Sequence, residues 1–66
     1  MYTDKQLTRW QTRAYKRWVE DGGKLTLRQA VHATAPRRAT HEDEIKCTAR
    51  LIATQRVIYD AIMEAI

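Results

Sequence analysis

Apolar residues recur at helical spacing in three stretches of this chain, and a threonine stands just before each. In the first, Leu7, Trp10, Ala14 and Trp18 fall within about 80° of one another at 100° per residue. Thr3 and Gln6 have the spacing of a capping box, and Tyr2 and Leu7 that of a hydrophobic staple. Asp4 suits the positive end of the helix dipole. Gly22 and Gly23 stop the helix, because glycine takes the left-handed C-cap conformation without strain. The pattern predicts a helix over about residues 4–21.

The second stretch starts at Thr26, again with a glutamine three positions on, at Gln29. Leu27, Ala30, Val31 and Thr34 form a short stripe, and Pro36 pushes the residue before it out of the helical region. A helix over about 27–35 follows. Lys24 to Leu27 alternates like a strand, but no partner strand is visible.

The third stretch opens at Thr40, with Glu42, Asp43 and Glu44 in the first turn. With no Gly or Pro after it, this helix is expected over about 41–65, roughly 39 Å in length. Ile45, Ala49, Ile52, Tyr59, Ile62, Met63 and Ile66 form its broad apolar face, widened by Cys47, Leu51, Ile58 and Ala65. Lys46, Arg50, Asp60 and Glu64 lie opposite. The fold class is therefore all-α: one domain over residues 1–66, with three helices in a long, short, long order and an extended C-terminal helix.

The first helix, at roughly 27 Å, is too short to cover the third. The end around Tyr59, Ile62, Met63 and Ile66 is then free for contact, since exposed apolar patches mark interaction sites. A homodimer is one outcome of that exposure.

Composition sharpens the picture. Sixty-six residues make a small core and a marginally stable chain. Few Gly and Pro argue against disorder. The lone Cys47 cannot form an internal disulfide, which fits a reducing compartment. No apolar run spans a membrane and no signal-peptide core is present, so the expected location is the cytoplasm and no membrane partner is expected.

Charge is unevenly placed. Residues 1–40 hold nine Lys or Arg against three acids, and residues 41–66 hold three against five. The decapeptide RWQTRAYKRW (9–18) concentrates this asymmetry. Its tryptophans share the dry arc with Ala14 and are expected in the core, whereas single-strand binders need aromatics and cations facing one groove. Arg9, Arg13, Lys16 and Arg17 occupy a neighbouring arc, with Arg9, Arg13 and Arg17 one turn apart. Arg28 and the Arg37-Arg38 loop are expected to join them. Cations held on a rigid rod suit a phosphate backbone, DNA or RNA, or an acidic protein surface.

Other chemistries fit less well. A helix-turn-helix would put Glu42, Asp43 and Glu44 against phosphates, and APRRA is long for its turn. Cys47 and His41 lie six apart, off one helix face, so a catalytic pair is not expected. His41 and Glu44 supply two metal ligands where three or four are needed. Gly22-Gly23 lacks the longer pattern of a phosphate loop. The expectation is a non-enzymatic binding protein without metal or cofactor. It would grip nucleic acid through Arg9, Arg13, Lys16, Arg17, Arg28, Arg37 and Arg38. The alternative is a small protein-interaction module, a regulator or inhibitor of a larger protein, using the basic face or the apolar end of the third helix.

Overall fold

The computed structural model describes residues 2–65. Three helices, α1 (Asp4–Glu20), α2 (Leu27–Ala33) and α3 (His41–Ala65), each pack on the other two. No strand forms among the described residues.

Each helix starts on a threonine cap. The Thr3 hydroxyl accepts from the Gln6 N–H at 3.2 Å, and the Gln6 side chain accepts from the Thr3 N–H at 2.8 Å. Thr26 and Gln29 repeat the arrangement at 3.1 and 2.8 Å. At α3 the same box is built with an acid: Asp43 N–H donates to the Thr40 hydroxyl, and the Asp43 carboxylate accepts from both the N–H and the hydroxyl of Thr40. Six donors that would be orphaned at helix starts or just before them are thereby satisfied.

The end of α1 is a Schellman turn. Gly23 N–H donates to Trp18 C=O and Gly22 N–H to Val19 C=O, with φ of 77° and 68° at the two glycines. The regular helix stops at Glu20, one residue before the expected end. Likewise α2 stops at Ala33 rather than residue 35. There the Thr34 hydroxyl turns back onto Ala30 C=O at 2.8 Å, and Pro36 disfavours a helical Ala35.

Leu7, Trp10 and Ala14 from α1, Val31 from α2, and Cys47 and Leu51 from α3 make the core. Trp10 is fully buried, and its indole N–H donates to Val31 C=O at 3.1 Å. That carbonyl lies at the end of α2, where helical partners run out. The Tyr2 ring meets Trp10 edge-on with centroids 5.9 Å apart, completing the staple region.

Two expectations need correction. Trp18 is only half-buried: it lies at the last turn of α1, with its ring centroid 5.9 Å from that of Tyr15. The larger correction concerns α3. Its buried seam is Asp43, Cys47 and Leu51, whereas Ile45, Ala49 and Ile52 are exposed. The helix is apolar on two sides, and the strip turned to α1 and α2 is the one that carries Cys47 and Leu51. Arg50 consequently flanks the core instead of facing away. It donates to the Thr8 hydroxyl at 2.8 Å and lies 3.5 Å from the Asp4 carboxylate, tying α3 to α1.

Asp43 also gives the fold an acid-sensitive joint. The Thr40 backbone bond holds its carboxyl below the ordinary value of 3.8, against the opposing effect of burial. A depressed folded-state pKa adds stability that is fully present above the unfolded value and is lost as pH falls through the folded one. Melting temperature is expected to fall as pH drops below about 4. Asp43→Asn should flatten that acid limb, as thermal melts across the acid range would register. An unchanged limb in the variant would locate the acid sensitivity elsewhere.

Candidate nucleic-acid interface

On α1 the buried line Leu7–Trp10–Ala14 fixes the rotation of the helix. Arg9, Arg13, Lys16 and Arg17 then lie off the core, and all four are exposed. Arg9, Arg13 and Arg17 rise about 6 Å per step along one flank, four residues at 1.5 Å each. α3 meets the other flank, through the Gln11–Thr54 bond at 2.9 Å and the Arg50–Thr8 bond. α2 is anchored to α1 through Trp10, whose indole N–H donates to Val31 C=O. The row is thus held on a helix pinned from two directions.

Its charge is not neutralised internally. Among the described residues, Lys16 alone of the α1 cations has an acidic neighbour, Glu20 at 4.0 Å. Asp4 faces Arg50, and Glu44 faces both histidines, so these acids are turned away from the row.

Arg37 and Arg38 occupy the central positions of a turn closed by the Ala39 N–H to Pro36 C=O bond at 3.0 Å. Both are exposed, while Ala35 and Ala39 beside them pack on the core. The turn projects its two guanidinium groups from an anchored base.

Arg28 is placed differently. It lines a groove between α2 and α3 with His41, Glu44, Ile45 and Ile52, apart from the α1 row. Glu44 is the centre of that region: His32 Nδ1 lies 2.8 Å from one of its carboxylate oxygens and His41 Nδ1 3.9 Å from the other. The sequence pairing of His41 with Glu44 holds, and His32 arrives from α2. No group of three His, Cys, Asp or Glu among the described residues is placed to hold a metal ion. Of the three acids opening α3, Asp43 is consumed by its cap and Glu44 by the histidines, which leaves Glu42 exposed.

Cys47 is fully buried, and desolvation pushes its thiol up to about 11, outweighing the pull of Arg50 and Arg13. A nucleophilic cysteine needs the opposite shift. Alkylation of Cys47 in native buffer is expected to be about 100-fold slower than in denaturant, because reaction waits for opening of a domain of a few kcal/mol stability. Equal rates, read by mass spectrometry, would place the thiol at the surface.

The expected contact residues Tyr59, Ile62 and Met63 are all more than half exposed, at 61%, 56% and 52%. Ile66 lies outside the described residues. No described helix is long and apolar enough to cross a membrane. Comparison with known proteins finds no matching family model, no matching curated protein and no matching solved structure.

Proposed function

We propose that this chain is a small, non-enzymatic, nucleic-acid-associated protein that grips phosphates through α1 and the Arg37-Arg38 turn. The single observation behind this reading is the row Arg9, Arg13 and Arg17: exposed, one turn apart, and without an acid in ion-pair range among the described residues. Guanidinium groups suit phosphate oxygens through their forked donors. Such contacts set orientation and affinity without reading bases, so weak sequence preference is part of the proposal. DNA and RNA present the same backbone chemistry to this row. Arg28 belongs to the site only where a ligand also reaches the α2–α3 groove. A cytoplasmic setting completes the proposal, in keeping with the free thiol at Cys47.

The experiment is a fluorescence-anisotropy titration of a random-sequence duplex and a single-stranded RNA. Wild type is run beside Arg9→Glu/Arg13→Glu. Binding by wild type and its loss in the variant is the expected result.

A second reading draws on a separate observation, the exposed apolar surface of α3 from Ile45 to Met63. A protein-interaction module would use that surface against a hydrophobic partner face.

A further inference from the structure

The exposed side of α3 carries a second, unused seam. Ile45, Ala49, Ile52, Arg56, Tyr59 and Met63 follow one another at alternating steps of four and three residues. That is the repeat of a two-helix coiled-coil seam. All six are exposed, and they lie on the helix opposite the Asp43–Cys47–Leu51 seam that faces the core. The seam extends about 27 Å, eighteen residues at 1.5 Å each.

We infer that this seam pairs with the same seam of a second copy, with the two α3 helices antiparallel. Charge and size both select that orientation. When Ile52 faces the partner's Arg56, Ile45 meets the partner's Met63 and Ala49 meets the partner's Tyr59. The largest side chain of the seam is then set against the smallest, the alternation by which facing layers interdigitate. In the same register Lys46 flanks the partner's Asp60, and Asp60 flanks the partner's Lys46. Two symmetric ion pairs form along one edge, and Ala53 meets its own copy between them. The parallel alternative stacks Arg56 on Arg56 inside the seam and brings no opposite charges together along the edges. In the antiparallel pair the Arg56 stem lies over the partner's Ile52 while its charged head reaches water.

The pairing is isologous, so it closes at two copies. It is independent of the α1 row, which does not lie on the face of α3 that pairs; Arg28 borders that face, in the groove it shares with Ile45 and Ile52.

Sedimentation equilibrium from about 10 µM to about 1 mM, a range suited to an interface this small, is the test. Wild type is expected to reach a dimer and no larger species. Ile52→Asp should sediment as a monomer while keeping its helical circular-dichroism spectrum, since Ile52 is half exposed and outside the core. Lys46→Glu places acid against acid twice and should weaken the dimer about tenfold. Lys46→Glu/Asp60→Lys restores both pairs with reversed sign, so it should recover the wild-type association. A monomer at every concentration would overturn the proposal and leave the face to a different protein. A double exchange that fails to recover association would overturn the antiparallel register.

Discussion

Trp10→Ala is expected to abolish the cooperative thermal transition of this protein. Trp10 is fully buried and is the largest side chain of the core. Removing a buried tryptophan costs about 3–5 kcal/mol through lost transfer energy and the cavity left behind. A chain of 66 residues has about 3–10 kcal/mol to lose, and small domains sit at the low end. The indole also donates to Val31 C=O in the last turn of α2; without it that carbonyl keeps the Thr34 hydroxyl at a long 3.3 Å. α2, at seven residues, is too short to persist without its contacts. Trp18→Ala is the informative contrast. Trp18 is half-buried at the end of α1, so its loss should lower the melting temperature and leave the transition cooperative. Far-UV circular-dichroism melts of the two variants read the difference. A cooperative melt in Trp10→Ala would show that the core is not organised around this residue.

The second large effect concerns the basic row. Arg9→Glu/Arg13→Glu takes the formal net charge from +4 to zero and places two acids where two phosphate contacts are proposed. Affinity for nucleic acid should fall by about 100-fold at moderate salt, and by a similar factor on every sequence tested. Both side chains are exposed, so the melting temperature should barely move. Lys24→Glu makes a charge reversal beyond the end of α1 and is expected to cost only a few-fold. Equal losses at Lys24 and at Arg13, measured as single variants, would mean that the protein responds to overall charge and that the row has no special place.

Much of this architecture was legible in the chain because its punctuation is strong. Thr3, Thr26 and Thr40 stand at N-caps and Gly22-Gly23 just past the Asp21 C-cap, so all three helices begin where the caps place them. The helix ends erred by one and two residues, since a Schellman turn and a pre-proline turn each unwind the last residues. The rotation of α3 was not legible. Its apolar residues cover two faces, and hydrophobicity alone favours the isoleucine-rich one. The choice shows only in the packing: Cys47 and Leu51 join the cluster around Trp10, while Ile45 and Ile52 remain outside it. Asp43 was readable as a first-turn acid, and its T-x-x-D spacing from Thr40 is the signal for the cap it forms.

Of the candidate contact residues, the α1 row was readable from spacing because one helix carries it. The separation of Arg28 from that row was not, since it depends on how α2 packs against α3. The partnership of His32 with Glu44 joins two helices and has no sequence signature either. The sequence puts Arg37 and Arg38 between two helices, and the structure adds the turn that presents them.

The most direct measurement is the salt dependence of wild-type binding to a random-sequence DNA duplex. Each phosphate contact contributes about 0.9 to the log–log slope. The α1 row together with the Arg37-Arg38 turn predicts a slope of about −3 to −5, reduced by about 2 in Arg9→Glu/Arg13→Glu. A slope near zero, or one that the double variant leaves unchanged, would contradict the assignment of this basic face to phosphates.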